Sequence, residues 1–136
     1  MRRSNALVTV PLLALALAGC APTQQSSSSK DFKGEAQNVA DVVGDLQSAG
    51  QRKDAAKICS DVLSAKLVDS LRSGGSTCVD EMDKAITDAD DYKLTVEDVT
   101  VNGDTATAKV KNGKDGPTST LEFAKESGGW RATSLG

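Results

Sequence analysis

The stretch from Ile58 to Cys78 constrains this chain more tightly than any other. It opens with Ile58-Cys59-Ser60 and closes with Ser76-Thr77-Cys78, with Leu63, Leu67, Val68 and Leu71 between. If the two cysteines are joined, they close a loop whose restriction stabilises the fold by roughly 3 kcal/mol in the chain-entropy picture. Whether they join depends on the compartment, and the N-terminus bears on that.

Met1 to Cys20 reads as an export signal. Arg2 and Arg3 form its charged region, and Ala6 to Ala18 is apolar apart from Thr9, with Pro11 inside it. The run is too short and wrongly flanked for a stable transmembrane helix. It ends in Leu17-Ala18-Gly19-Cys20, which resembles the lipobox of bacterial lipoproteins. The resemblance implies that residues 1–19 are a signal peptide and that Cys20 is diacylated on sulfur (palmitate-type lipidation) as the new N-terminus. Two or more acyl chains make such an attachment stable. The alternative is an ordinary secretory cut near Ala18 or Ala21. Either way the domain is extracytoplasmic, where thiols tend to be oxidised. With Cys20 set aside, Cys59 and Cys78 remain, and an even pair in a small exported domain reads as one disulfide. A redox-active pair would usually be spaced Cys-X-X-Cys, which this pair is not.

Composition removes several functions. There is no histidine, so histidine general bases and His-ligated metals are excluded. The aromatics are Phe32, Tyr92, Phe123 and Trp130, too few for a base-stacking platform. The net charge is −3, and Arg2-Arg3 lies in the segment expected to be removed. A phosphate-binding surface and a nucleic-acid partner are therefore not expected.

Residues 20–30 carry the acylated cysteine and a serine- and glutamine-rich tether. Such a segment buries too little to order itself, and a coil of ten residues spans roughly 15–20 Å. Residues 31–136 form the expected domain. Asp31 to Ala49 reads as a helix, because Phe32, Ala36, Val39, Val43 and Leu46 make one apolar stripe. Gly50 is expected to cap its C-terminus. Lys53 to Leu63 and Ala65 to Ser73 read as two short helical pieces, with Ala56, Cys59, Leu63, Leu67 and Leu71 in helical rhythm. Thr77 caps a further helix to about Asp88, with Met82, Ala85 and Ile86 inward and Glu81 assisting the cap.

After Asp91 the period changes to two. Tyr92, Leu94 and Val96 alternate, the phase slips at Glu97-Asp98, and Val99 and Val101 resume it. Asn102-Gly103-Asp104 reads as a hairpin turn, followed by a strand carrying Ala106, Ala108 and Val110. Another turn at Asn112 to Gly116 leads to a strand from Thr118 to Lys125, and Ser127-Gly128-Gly129 leads to a last strand from Trp130. The fold class is α+β, with three N-terminal helices packed on a curved four-stranded antiparallel meander.

Val99 to Ala108, Leu121 to Glu126 and Gly129-Trp130-Arg131 together resemble the end of small nuclear-transport-factor-two-like, or cystatin-like cone, domains. The resemblance implies a curved sheet wrapped around helices, with a cavity between them. It implies no activity, because that fold hosts enzymes, binders and scaffolds. Phe32, Val39, Val43, Leu67, Phe123 and Trp130 are the expected cavity lining, with Trp130 as a core aromatic covering the cone.

No catalytic residue, metal site or cofactor is expected. Asp88, Asp90 and Asp91 do not make an EF-hand loop, since Lys93 and Val99 stand where glycine and glutamate would be needed. The expected function is a non-enzymatic binding or interaction module, held on the membrane through Cys20, with an apolar ligand or an envelope protein as partner. The competing readings are an accessory subunit, which needs an exposed apolar patch, and a hydrolase or isomerase. The latter needs an acid such as Asp41 or Asp45 beside the cavity with a raised pKa.

Overall fold

The computed structural model describes residues 31–89 and 91–136. Within them the chain is α+β, with a helical half followed by a four-stranded antiparallel sheet. The signal segment, Cys20 and the tether lie outside the described residues.

Helix α1 runs Glu35–Gln51. It starts four residues later than the apolar stripe alone predicts, because Gly34 takes φ 60 just before it. It also runs through Gly50 instead of stopping there. The left-handed position that follows the helix is Lys53, at φ 55. Gly50 is buried inside the last turn, so its role is packing and not capping. A Cβ at Gly50 would run into the ring of Tyr92.

Helix α2 (Ala55–Lys57) is capped by Asp54, whose carboxylate accepts from the Lys57 N–H at 3.0 Å. It passes into a π-helical turn, Ile58–Val62, closed by the Leu63 N–H on the Ile58 carbonyl at 3.0 Å. Ala55, not Ala56, is the buried alanine of this piece. Helix α3 (Ala65–Ser73) begins at Ser64, which accepts from the Leu67 N–H at 3.1 Å. The Ser64 N–H also donates to Ala132 at 2.8 Å, which ties the start of α3 to the last strand. Helix α4 (Cys78–Asp88) is capped by Thr77. The acid that assists this cap is Asp80 and not Glu81: the Thr77 hydroxyl donates to the Asp80 carboxylate at 2.6 Å and accepts from the Asp80 N–H at 3.1 Å. Asp80 holds the third helical position, within reach of the cap hydroxyl, whereas Glu81 is one residue too late.

Cys59 and Cys78 form a disulfide with Cα atoms 6.1 Å apart, joining the π-helical turn to the first residue of α4.

The sheet comprises β1 (Leu94–Asn102), β2 (Thr105–Asn112), β3 (Thr118–Glu126) and β4 (Gly129–Ser134), adjacent in chain order. Val96 pairs with Val110, Val99 with Ala108 and Val101 with Ala106. Ala108 and Ala106 pair onward with Leu121 and Phe123, and Phe123 with Ala132. These residues form one apolar face. The register shifts between Val96 and Asp98, where the phase of the sequence slips. If the same residues continued in strict alternation with no bulge, Val99 would turn to the opposite face. That opposite face carries Thr100, Thr107 and Glu122 in one row across the strands, all exposed.

The tight turns follow their residues. Gly103 has φ 60 and Asp104 does not, the two-residue turn with glycine first. Ser127 at φ 49 and Gly128 at φ 81 both lie in the left-handed region, which the mirror-image type I turn demands.

Helix α1 lies against the apolar face of the sheet. Val39 and Val43 from α1, Ile58 and Val62 from the π turn, and Val96, Val110, Phe123 and Ala132 from the sheet fill the space between. Leu63 forms a parallel bridge with Ala132, shielding part of the β4 edge. Among the described residues, no helix is long and apolar enough to cross a membrane.

Candidate functional site

Several depressions mark the described structure. The first is an apolar cleft of about 280 Å³ at the C-terminal end of α1. Leu46 of α1 and Ile58 of the π turn form its inner wall. Met82, Ala85 and Ala89, on and just after α4, form the second wall. Tyr92, Leu94 and Leu135 close the third, and Asp91 and Asn112 stand where polar groups begin. The volume lies just below the usual range for small-molecule sites, which are typically apolar with a few placed polar groups.

Two contacts hold the mouth of this cleft. Gln47 Oε1 accepts from the Leu94 N–H at 2.6 Å, so the start of β1 is fastened to α1. The Tyr92 ring lies directly on Gly50, which only a residue without a side chain permits. Burial pushes the Tyr92 hydroxyl pKa up from its ordinary value. The disulfide sets the position of the α4 wall, because Cys78 is the first residue of that helix.

The second depression is a larger, more polar groove of about 640 Å³. It is bounded by Lys66, Leu67 and Ser70 of α3 on one side and by Thr105, Thr107 and Glu122 of the sheet on the other. Phe123 contributes to its floor. The Ala65 N–H donates to Glu126 Oε2 at 3.1 Å, which anchors α3 beside this groove.

The expected cavity residues are not gathered in one place. Leu67 and Phe123 border the groove. Val39 and Val43 are fully enclosed in the α1–sheet core, and Phe32 packs at its margin. Trp130 is buried, with its indole N–H donating to Glu35 Oε2 at 2.6 Å. Sequence reasoning missed the cleft residues Ile58, Met82, Asn112 and Leu135 as a group. They come from four separated segments, so no local pattern announces them.

The titratable groups are informative. Burial raises the pKa of Asp45 first of all, with the carboxylates of Asp41 and Asp61 adding to the effect and Lys57 and Arg52 opposing it. Asp45 does not line either depression. Asp41 accepts from the Gln37 amide at 2.7 Å. The Glu35 carboxylate is lowered to about 2 by hydrogen bonds from Lys125, Trp130 and Asn38. Lys125 Nζ reaches it at 2.6 Å and also stands 5.5 Å from the Trp130 ring centre. This cluster braces α1 against β3 and β4. Among the described residues, no group of three acidic or cysteine side chains is placed to hold a metal ion.

Comparison of the chain with protein-family models, curated proteins and solved structures found no match.

Proposed function

We propose that this chain is a membrane-anchored extracytoplasmic lipoprotein whose single cone-like domain binds an apolar ligand without transforming it. Residues 1–19 act as the signal peptide, and Cys20 carries the lipid on a tether that ends at Lys30. In this reading the domain is a nuclear-transport-factor-two-like module, and its helical half followed by a four-stranded antiparallel meander is in keeping with that. The observation that carries the reading is the apolar cleft walled by Leu46, Met82, Tyr92, Leu94 and Leu135. A binder needs such a cleft. An acid-dependent enzyme would need its perturbed acid inside the cleft, and Asp45 is elsewhere. A docking subunit would need an exposed apolar patch, and among the described residues Val79 alone is a large exposed hydrophobic. The disulfide suits an oxidising compartment.

Mass spectrometry of the full chain isolated from membranes tests this. The expected spectrum shows a diacyl modification on Cys20 and a non-covalent apolar ligand. That ligand disappears in Ala85→Phe, where an exposed wall residue is enlarged into the cleft. An unmodified Cys20 would overturn the anchor, and a ligand retained by Ala85→Phe would overturn the cleft.

A further inference from the structure

Helix α4 is a lightly held wall of the cleft. Of its eleven residues only Cys78 and Ile86 are buried. It packs mainly on α2, the π turn and α3, while Leu46 of α1 and Leu94 of β1 belong to the other walls. Gly74 and Gly75 precede it, Gly75 at φ 91, and Ala89 leaves it in extended backbone. A helix flanked in this way can pivot about both ends. What fixes it is the covalent tie at its first residue, where Cys78 is bonded to Cys59 of the π turn.

The two sulfurs are not equivalent. Cys78 is 7% exposed, whereas Cys59 is only partly buried and lines a further depression of about 330 Å³. Val68, Asp69, Glu126 and Arg131 line the same depression. Its carboxylates are engaged: Glu126 Oε2 accepts from the Ala65 N–H at 3.1 Å, and Asp69 pairs with Arg72 at 3.4 Å. Arg131 donates to the Ser60 carbonyl at 2.9 Å, one residue from Cys59, and is in no ion pair among the described residues. Asp61 feels its charge but is bonded by Lys57. A cation beside an accessible sulfur draws an attacking thiolate. Cys78 is the first residue of α4, where backbone N–H groups favour a departing thiolate, and Asp80 and Glu81 in the same turn oppose it. Access therefore sets the direction of attack.

We propose that the disulfide is a reducible latch on the cleft: an extracytoplasmic dithiol opens it by attack at Cys59, and α4 is then released as a wall. The thiolate of the dithiol bonds to Cys59 Sγ as the Cys59–Cys78 bond breaks. Cys78 leaves as a thiolate and takes the proton that the attacking thiol gave up. The second sulfur of the dithiol then closes on the first and frees Cys59 as a thiolate, which takes the second proton. The dithiol is oxidised by two electrons and the disulfide is reduced by two. The consequence for a ligand rests on the apolar-cleft reading above, and the latch itself does not.

The test treats the full chain on nanodiscs of neutral lipid with dithiothreitol, without denaturant. Hydrogen exchange, Trp130 emission and octanol affinity (by Tyr92 emission) are read before and after. Exchange across Cys78–Asp88 is expected to rise about tenfold, with β1 to β4 and Trp130 unchanged. Octanol is expected to bind about fivefold more weakly as the walled state becomes the minor one. After brief exposure to glutathione, digestion and mass spectrometry are expected to find the mixed disulfide on Cys59. Arg131→Gln is expected to slow its formation about threefold, the scale of one partly exposed charge. A disulfide that resists reduction until the chain unfolds, or a reduced chain whose strands also lose protection, would overturn the latch. So would unchanged exchange in α4, glutathione on Cys78 in place of Cys59, or octanol affinity unchanged while α4 exchanges faster. Unchanged kinetics in Arg131→Gln would overturn the part given to Arg131. Failure of octanol to bind the oxidised chain would overturn the cleft reading, while exchange in α4 still decides the latch.

Discussion

Trp130 donates its indole N–H to Glu35, 2.6 Å away and 95 residues earlier in the chain. The bond ties the first turn of α1 to the last strand. Lys125 completes the cluster, and the carboxylate is held at about 2, well below its ordinary 4.5. A carboxylate whose folded pKa is depressed stabilises the fold fully above its unfolded pKa. That stability is lost as pH falls towards the folded value. Glu35→Gln is therefore expected to lower stability at neutral pH and to flatten the decline between pH 4.5 and 2. Urea unfolding at several pH values, followed through Trp130 emission, checks this. An unchanged slope in that window would mean that other carboxylates govern acid sensitivity.

Gly50→Ala separates two roles for that glycine. In an exposed helix interior alanine is favoured over glycine by about 1 kcal/mol. Here the Tyr92 ring occupies the place a Cβ would take. Gly50→Ala is expected to destabilise by roughly 1–3 kcal/mol, the usual cost of overpacking. The cost should shrink in a Tyr92→Ala background, because the obstructing ring is gone. A stabilising Gly50→Ala would contradict the close approach.

Ser127 occupies the first central position of the β3–β4 turn at φ 49. A left-handed conformation disfavours most side chains, and asparagine tolerates it better than serine. Ser127→Asn is expected to raise stability by roughly 0.5–1 kcal/mol, measured as the denaturant midpoint at unchanged m-value. A fall in the midpoint would argue that the serine hydroxyl has a role in the turn.

Reducing the disulfide should cost about 3 kcal/mol. Because Cys78 begins α4, which walls the cleft, the paired substitution Cys59→Ser with Cys78→Ser should also weaken ligand binding. Calorimetric unfolding and ligand titration of the same sample separate the two effects. Full affinity in a destabilised variant would show that α4 keeps its place without the link.

The strands were the most legible part of the sequence. Period-two alternation identified the sheet, and the slip at Glu97-Asp98 marked the bulge that keeps Val99 on the apolar face. Thr77 was legible as a cap, while its partner was off by one because Asp80 and Glu81 are adjacent acids. Gly50 misled because capping and close packing both select glycine, and only the tertiary position of Tyr92 separates them. The π-helical turn at Ile58–Val62 leaves no mark in the apolar period. The cleft was illegible for a related reason. Met82 and Leu94 read as ordinary core residues, Ile58 and Leu135 carried no site signal, and what the four enclose depends on how distant segments meet.

The most direct test of the central claim uses the chain's own two fluorophores. Tyr92 is the sole tyrosine and Trp130 the sole tryptophan. Tyr92 lines the cleft, whereas Trp130 is buried beside Glu35, at the opposite end of α1 from Leu46. A brominated short-chain alcohol is titrated into the full chain while both emissions are recorded. Saturable quenching of Tyr92 with Trp130 unchanged is the predicted result. Equal quenching of both, or none of Tyr92, would contradict an apolar-ligand site between α1, α4 and β1.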